Sequence, residues 1–194
     1  MSYEHYNRNG AQFILDSNDV DMTAQYKRFL SYLPNNASIL DAGCGSGRDS
    51  LSFKNMGYRV QAFDASSEMV EATKILADIQ VSKMTFQSVA FDTSFDGIWA
   101  CASLLHVPRN ELAGVIENLI FHLNAGGIMY ASFKYGESER QEGDRYFNDL
   151  TEATLLKHIK ETSNWQLVEQ WTSGNRRTGR SDDKWLNCLL KKLP

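Results

Sequence analysis

The chain has 194 residues, of which 42% are hydrophobic and 11% aromatic, which is enough apolar material for a folded core and too much for a disordered chain. Its 20 Lys and Arg against 24 Asp and Glu give a formal net charge of −4. This balance disfavours a general polyanion binder, because no basic excess exists to release counterions from phosphates. The length predicts one domain over residues 1–194, with parts at 1–37, 38–135 and 136–194.

Targeting and redox signals are weak in this sequence. The most apolar run, residues 97–107, has about half of the roughly 20 residues that a membrane span needs. The amino terminus shows no basic segment followed by an apolar one, so we expect no signal peptide. Cys44, Cys101 and Cys188 are odd in number and widely spaced, and fit neither a disulfide framework nor a metal site. We therefore expect reduced thiols, no metal, no membrane association and a cytoplasmic location.

Helical and strand patterns alternate along most of the chain. The predicted helices lie at 21–33, at 48–56, after Ser66 or Ser67, after Pro108 and at 151–159. The predicted strands lie at 38–41, 58–63, 84–89, 95–101, 128–133, 166–171 and 184–190, with a polar loop at 134–148. This alternation predicts a doubly wound, mostly parallel α/β sheet, and the last two strands predict an antiparallel hairpin.

The strongest functional signal follows the first strand. Gly43, Gly45 and Gly47 stand in a G-x-G-x-G pattern that lets a ligand approach the backbone at the strand–helix junction. A dinucleotide site calls for G-x-G-x-x-G with a pyrophosphate on the helix, whereas here Arg48 replaces the third glycine. Asp41 precedes the loop, and a carboxylate aimed into it would repel a pyrophosphate and suit a cationic ligand.

A second acidic residue, Asp64, ends the second predicted strand. A carboxylate at this place can accept hydrogen bonds from both hydroxyls of a ribose. Asp64 therefore indicates a nucleoside, whereas Asp41 and the glycine pattern disfavour a pyrophosphate. Together they point to S-adenosylmethionine, whose sulfonium is positive. The alternatives are that Asp64 only caps the following helix, that Asp41 only satisfies backbone amides, and that the glycines only form a tight turn.

Four segments extend this reading: LDAGCGSGRDS, GYRVQAFDASSEMV, FDGIWACASLLHVPRNEL and LNAGGIMYASFK. In this order they resemble the motifs of class I S-adenosylmethionine-dependent methyltransferases over about residues 20–135. Within that family the resemblance is strongest to small bacterial methyltransferases of the tellurite-resistance type, and GDRYFNDLT and GRSDDKWLNCLLKK are similar to the tail of that subgroup. The resemblance implies a seven-stranded sheet and an enzyme that uses S-adenosylmethionine.

The resemblance also implies cofactor contacts at particular positions. Asp41, Gly43 and Gly45 would line the methionine part, Asp64 would bind the ribose, and Ala65 and Met69 would lie beside the adenosine. Gln87 and Ser88 stand where such enzymes contact adenine. Many members have Asp where this chain has Gln87, which can still accept from an amino group. Ser103, Leu104 and His106 follow the fourth strand, where the methyl group faces the acceptor.

The remaining candidates concern the acceptor. We expect residues 1–37 to cover the cofactor, with Tyr6, Asp21 and Met22 as contributors, and Arg145 and Tyr146 to meet a small polar or anionic acceptor because Arg grips oxyanions bidentately. His106 is the candidate base, since its ordinary pKa lies near working pH; the alternative is that it only packs. The same acceptor site is one expected place for Arg176, Arg177 and Arg180, and the alternative is that they lie on the surface.

Other functions stay open from the sequence alone. An RNA or protein methyltransferase would need a basic face, which the net charge of −4 disfavours. A non-catalytic cofactor-binding module is the alternative outside the enzymes, and a nicotinamide dehydrogenase is disfavoured by the glycine pattern. We expect a small-molecule acceptor and no nucleic acid. The sequence leaves the acceptor atom and the oligomeric state open.

Overall fold

A computed structural model of the chain describes residues 2–18, 20–159, 164–174 and 184–194. The helices are α1 Ser2–Asn18, α2 Thr23–Leu30, α3 Arg48–Asn55, α4 Ser67–Ala77, α5 Arg109–Phe121 and α6 Glu152–Ile159. The strands are β1 Ser38–Ala42, β2 Arg59–Asp64, β3 Gln80–Lys83, β4 Phe95–Ala100, β5 Leu123–Lys134, β6 Glu139–Glu142, β7 Arg145–Asn148, β8 Trp165–Gly174 and β9 Lys184–Lys192. Arg176, Arg177 and Arg180 lie outside the described residues.

Seven of these strands form one sheet in the order β3-β2-β1-β4-β5-β9-β8. The pairs from β3 to β5 are parallel, and β9 runs antiparallel to both β5 and β8. This confirms the predicted doubly wound sheet with a carboxyl-terminal antiparallel hairpin. The winding reverses between β1 and β4, and ligands of such sheets bind beyond the carboxyl ends of the strands at that point.

Both faces of the sheet are packed. On one face, Trp99 of β4 stacks on Tyr130 of β5 with ring centroids 3.9 Å apart, and Phe29 of α2 and Phe53 of α3 pack against Trp99. On the other face lies the apolar stripe of α5, which includes the fully buried Leu112. The apolar faces of these helices thus pack on the sheet. Burial of each large apolar side chain stabilises the fold by about 1.5–3 kcal/mol.

The third strand differs from the prediction. The 84–89 assignment was wrong: β3 is Gln80–Lys83, which pairs with β2, and residues 86–88 form a single 3₁₀ turn. Thr85 and Ser88 close this turn with reciprocal side-chain bonds, and Phe86 packs edge-on against Phe63 from the turn. Met84 and Phe86 alternate with polar residues, as side chains in a strand do. Here the local side-chain hydrogen bonds of Thr85 and Ser88 form a turn in place of hydrogen bonds to a neighbouring strand.

The predicted polar loop at 134–148 contains a second, two-stranded sheet. β6 and β7 pair in antiparallel register from Glu139–Asn148 to Glu142–Arg145, and Gly143 turns between them with φ of +61°. β6 is mostly exposed and both strands are rich in polar residues, so they lack the apolar alternation of a core strand, which is why the pattern indicated a loop. None of the helices in the described part of the chain is both long and apolar enough to cross a membrane.

Candidate cofactor and acceptor site

The glycine loop between β1 and α3 approaches its neighbours closely. The amides of Gly43 and Cys44 donate to the Phe63 carbonyl at 2.9 and 3.0 Å. Gly43 has φ of +75°, and a Cβ there would lie 2.5 Å from the Cβ of Ser103. Only glycine tolerates both this positive φ and this close contact. Gly43 therefore allows the loop after β1 to pack directly against Ser103, which follows β4.

Asp64 lies at the end of β2 and accepts one backbone bond on each carboxylate oxygen. Gly45 N donates to Oδ2 at 3.0 Å and Ser66 N donates to Oδ1 at 2.8 Å. Burial raises the pKa of Asp64, and the bonds from Ser66 and Gly45 oppose that rise. A carboxylate has about four acceptor positions, so each oxygen keeps one for a further donor.

Asp41 lies beneath the glycine loop and not on the cavity wall, whereas Asp49 lies on that wall. The Asp41 side chain is 2% exposed and accepts from Ser50 Oγ at 2.6 Å. Burial and the neighbouring charge of Asp49 raise the pKa of Asp41 to about 8. The Asp49 carboxylate lines the cavity and is held by Arg48, Tyr26 and Trp99; burial opposes its ionisation, but these partners hold its pKa below the usual value.

A cavity of about 780 Å³ opens beyond the carboxyl ends of the strands, within the range of about 300–1,000 Å³ found for ligand pockets. Its wall includes the glycine loop, α1, the turn after β4 and the β6–β7 hairpin. Tyr3, Tyr6, Phe13 and Ser17 of α1 lie on its wall. The amino-terminal helix thus forms part of the cavity wall, and the cover over a cofactor expected of residues 1–37 stays a prediction.

The cavity brings most of the predicted site residues together. On its wall are Gly43, Gly45, Asp64, Ala65, Met69, Gln87, Ser103, His106, Arg145, Tyr146, Tyr6 and Met22. Asp41, Ser88 and Leu104 are not on it. Ser88 closes the turn at Thr85, and Leu104 is fully buried in the core, because the residues after β4 form a 3₁₀ turn that points Leu104 inward. Asp21 is also absent from the wall, since its carboxylate accepts from Thr23 N.

Sequence reasoning missed several wall residues. They are Gln25, Asp49, Glu111, Lys134, Trp185 and Asn187. Asp49 stands directly after the glycine loop, so its position was available as a signal. Trp185 and Asn187 reach the wall only because β9 lies antiparallel beside β5, which local patterns do not specify.

His106 links α1 to the hairpin. Its Nδ1 bonds to the Tyr146 carbonyl at 2.7 Å, and its Nε2 bonds to the Tyr6 hydroxyl at 2.8 Å. A carbonyl only accepts, so Nδ1 carries the proton of the neutral ring and Nε2 accepts from Tyr6. Burial, followed by the positive charges of Arg145 and Lys134 among others, lowers the pKa of His106 to about 4, so the ring is neutral at ordinary pH.

Cations gather around Phe147 at the hairpin end of the cavity. The groups of Lys134, Arg140 and Arg145 lie 4.9, 4.7 and 5.1 Å from the ring centroid. Arg140 is bonded to Asp149 and Glu142. Arg145 is 3.8 Å from Glu142, and its Nε is buried with no hydrogen-bond partner in the described part of the chain. An unmet buried donor costs free energy, so this end suits an acceptor atom from a ligand.

The opposite end of the cavity fits S-adenosylmethionine. Asp64 offers two acceptor positions for vicinal hydroxyls, Met69 offers an apolar surface, and Gln87 is hydrogen-bonded to Glu111 beside it. The Oε1 of Gln25 is buried and lacks a partner among the described residues. Gln25 lines the cavity, and an amide oxygen without a partner only accepts, so this side chain suits the donors of an ammonium group. No group of three or more potential metal ligands occurs among the residues described.

Comparison with known proteins agrees with this geometry. Residues 39–127 match the model of a methyltransferase domain family. An uncharacterized methyltransferase of Staphylococcus carnosus is 27% identical over 144 residues, which cover 72% of this chain and 70% of the relative. The probable S-adenosyl-L-methionine-dependent methyltransferase TehB of Haemophilus influenzae is 28% identical over 94 residues, covering 46% of this chain and 33% of TehB. Similarity to the tellurite-resistance type is therefore confirmed.

The fold is shared with solved methyltransferases. The 1,6-didemethyltoxoflavin-N1-methyltransferase of Burkholderia thailandensis superposes with a TM-score of 0.80 at 16% identity, over 99% of this chain and 87% of that one. The matched segment 39–127 spans β1 to β4, the glycine loop, Asp64 and the turn that carries His106. Residues 39–127 therefore resemble a methyltransferase domain, and the chain as a whole shares the fold of S-adenosylmethionine-dependent methyltransferases.

Proposed function

We propose that this chain transfers the methyl group of S-adenosylmethionine to a small polar or anionic molecule. The observation that carries the proposal is the single cavity of about 780 Å³ that joins the glycine loop and Asp64 to His106 and Arg145. A methyl donor held at one end and an acceptor at the other would meet inside one shared space, from which the bound molecules would displace water. Such positioning and desolvation are the main contributions a protein makes when the leaving group is already activated.

The cofactor end would hold the adenosyl group through Asp64 and the methionine group through the glycine loop and Gln25. When bound, the cofactor supplies an electrophilic methyl group on a positively charged sulfur. Asp64 would accept from the two ribose hydroxyls with its remaining positions, and the backbone of Gly43 and Gly45 would face the methionine part. We assign no direct contact to Asp41, because Ser50 holds it beneath the loop.

The acceptor end would take a small anion or a polar group. Lys134 and the unmet Nε of Arg145 supply positive charge beside the neutral His106, and the side chain of Trp185 adds an aromatic wall. Residues 136–194 would thus form the acceptor side of one domain, and residues 1–37 its cover. A large polymer would have to pass α1 and the hairpin, which are joined by the bonds of His5 and Arg8 to Asp144.

Calorimetry with three ligands tests the cofactor part. S-adenosylmethionine and S-adenosylhomocysteine are expected to bind, and NAD is expected not to bind, because the loop lacks the third glycine of a pyrophosphate site. Tight binding of NAD without binding of the other two would overturn the proposal.

A screen with labelled S-adenosylmethionine against small metabolites and oxyanions tests the acceptor part, with bulk tRNA and a denatured protein mixture as the macromolecular controls. Transfer to a small compound at a rate little changed by salt is expected. Transfer only to RNA, falling steeply with salt, would indicate a polyanion substrate instead. Cofactor binding with no transfer to any compound would favour a regulatory module.

A further inference from the structure

The amino-terminal helix brings one hydroxyl group to the cavity wall beside His106. Tyr6 lies on the cavity wall with its ring edge-on to Phe13, centroids 4.9 Å apart, and to His106 at 5.6 Å. Its hydroxyl donates to His106 Nε2 at 2.8 Å. The direction of this bond is fixed from the far side, because the Tyr146 carbonyl holds the proton on Nδ1.

This arrangement depends on α1 being docked. Asp144, in the β6–β7 turn, accepts from His5 Nδ1 at 2.6 Å and from Arg8. Tyr146 N donates to Ser2 Oγ at 3.0 Å, and Ser66 Oγ donates to Asn7 Oδ1 at 2.7 Å. The same hairpin that supplies the carbonyl for His106 therefore also fixes the helix that supplies Tyr6.

We propose that the Tyr6 hydroxyl and the His106 ring form a relay that takes the proton from a hydroxyl acceptor while its oxygen takes the methyl group. The inference rests on the proposed function and adds the class of acceptor atom. Tyr6 touches the acceptor as the catalytic residue, and His106 acts through Tyr6. A phenolic oxygen that donates to a ring nitrogen keeps lone pairs for a proton from a bound hydroxyl.

The proton balance is complete without a further reactant. The acceptor oxygen bonds to the methyl carbon as the carbon–sulfur bond breaks, and that electron pair stays on sulfur. The acceptor proton moves to the Tyr6 oxygen, and the proton of Tyr6 moves to His106 Nε2. The products are the methyl ether, the thioether and an imidazolium, which returns its proton to water.

The surroundings of His106 select the acceptor atom. Arg145 of β7, Lys134 of β5 and His5 of α1 face the ring, and burial together with these charges lowers the pKa of His106 to about 4. So weak a base cannot hold the proton of a methylated amine, but it suffices for an oxygen, because an oxygen that has received a methyl group becomes strongly acidic. The same cations disfavour an ammonium group beside them.

Nitrogen-15 NMR of histidine-labelled protein tests the relay without any acceptor, with His106→Gln used to assign the signals. In the wild type, His106 should stay neutral and Nδ1-protonated down to about pH 5. Tyr6→Phe should move the Nε2 signal and raise the pKa of His106, since the donated bond favours the neutral ring. Tyr3→Phe is the matched control, because it removes a hydroxyl from the same helix and the same cavity wall; it should leave the His106 signals in place.

Methyl transfer from labelled S-adenosylmethionine to paired compounds gives the second readout: phenols and hydroxy acids against the corresponding amines and hydroxyl-free acids. Transfer should occur to hydroxyl compounds, and Tyr6→Phe should lower kcat by about 100-fold or more, the usual contribution of acid–base catalysis. KM and cofactor affinity should change little, and Tyr32→Phe, at an exposed tyrosine outside the cavity wall, should keep the wild-type kcat.

Several outcomes would overturn the relay. One is a His106 that is protonated on Nε2, and another is a wild-type kcat in Tyr6→Phe. The others are methyl transfer to the amines but not to the hydroxyl compounds, and cofactor binding without transfer to any hydroxyl compound. Failure of the proposed function has a different signature, in which neither S-adenosylmethionine nor S-adenosylhomocysteine binds in calorimetry.

Discussion

Asp64 and Gly45 are joined across the cavity floor, where the amide of Gly45 donates to Asp64 Oδ2 at 3.0 Å. The other oxygen accepts from Ser66 N. The carboxylate that is expected to bind a ribose therefore also fixes the glycine loop and the start of α4. Cofactor binding and local stability share one side chain, so a helix cap and a ribose contact are not exclusive roles.

Replacement of Asp64 with Ala should weaken binding and stability together. Loss of the net contribution of one charged bond to the ribose, roughly 1.5–3 kcal/mol, predicts a loss of cofactor affinity of at least about ten-fold to a hundred-fold, and loss of two full bonds predicts more. The unmet amides of Gly45 and Ser66 should also lower the melting temperature. Calorimetry and thermal unfolding on the same protein measure both effects.

Two controls separate these contributions. Ser66→Ala removes the bond that Ser66 Oγ accepts from Met69 N and the bond that it donates to Asn7, but keeps the Ser66 amide that donates to Asp64. It should therefore lower the melting temperature by at least the effect of about 1 kcal/mol typical of a lost cap and change the affinity far less than Asp64→Ala does. Asp92→Ala, on an exposed residue, should change neither quantity. Unchanged affinity in Asp64→Ala would make Asp64 purely structural.

Gly43→Ala should be far more harmful than Gly126→Ala. The two glycines have φ of +75° and +77°, but a Cβ at Gly43 would lie 2.5 Å from Ser103, whereas one at Gly126 meets nothing within 4 Å. Left-handed strain alone, about 1–2 kcal/mol, is expected for Gly126→Ala. Gly43→Ala should lose more stability and also cofactor affinity, as denaturant titration and calorimetry would measure. Equal losses in the two variants would mean that the close approach to Ser103 is unimportant.

Local sequence signals predicted the parts of the site that follow single strands. The glycine loop, Asp64 and Met69 are positioned by β1, β2 and the first turn of α4, so motif and periodicity were sufficient to bring them to the cavity. The doubly wound sheet followed from the same alternation of elements. Burial keeps two of the predicted residues off the wall, since Leu104 is in the core and Asp41 is beneath the loop, whereas Ser88 and Asp21 are exposed elsewhere.

The rest of the site depends on contacts between distant segments. The bond between Tyr6 and His106 joins residues 100 positions apart, and no local pattern encodes it. Lys134 and Trp185 face the same cavity because β5 and β9 pair them directly. The hairpin at 139–148 is equally a tertiary product, because Arg109 ties it to α5 through Asn148 and the carbonyls of Glu137 and Asp149.

Asp41→Asn should flatten the pH dependence of stability. Burial first, and then the charge of Asp49, raise the pKa of Asp41 to about 8, so the folded state holds a proton that the unfolded state releases near pH 4. Stability contributed by the protonated form is full below the unfolded pKa and is lost as pH rises toward the folded pKa of about 8. Asn cannot ionise and can still accept from Ser50.

Thermal unfolding from pH 5 to pH 9 measures this difference. The wild type should lose melting temperature relative to Asp41→Asn as pH rises, by about 2–4 °C for each kcal/mol in a chain of this size. The difference between the two proteins should be smallest at pH 5, about one unit above the unfolded pKa, and should grow until pH passes the folded pKa of about 8. Parallel curves across the whole range would show that Asp41 is ionised in the folded protein.

Arg145→Gln should impair acceptor binding specifically, and Arg140→Gln is its matched control. Both guanidinium groups lie about 5 Å from the Phe147 ring, so both substitutions remove one charge and one cation–π contact. Arg145 lines the cavity with a buried Nε that has no partner among the described residues, whereas Arg140 is hydrogen-bonded to Asp149 and Glu142.

Loss of a charged bond of roughly 1.5–3 kcal/mol predicts that Arg145→Gln raises the acceptor KM by about ten-fold to a hundred-fold, with cofactor affinity retained. Arg140→Gln should instead lower the melting temperature, since it leaves the buried Asp149 without its cation, and should keep the wild-type KM. Steady-state kinetics with the acceptor found in the labelled screen would decide the matter: equal rises of KM in the two variants would attribute the effect to net positive charge near the cavity and not to a contact made by Arg145.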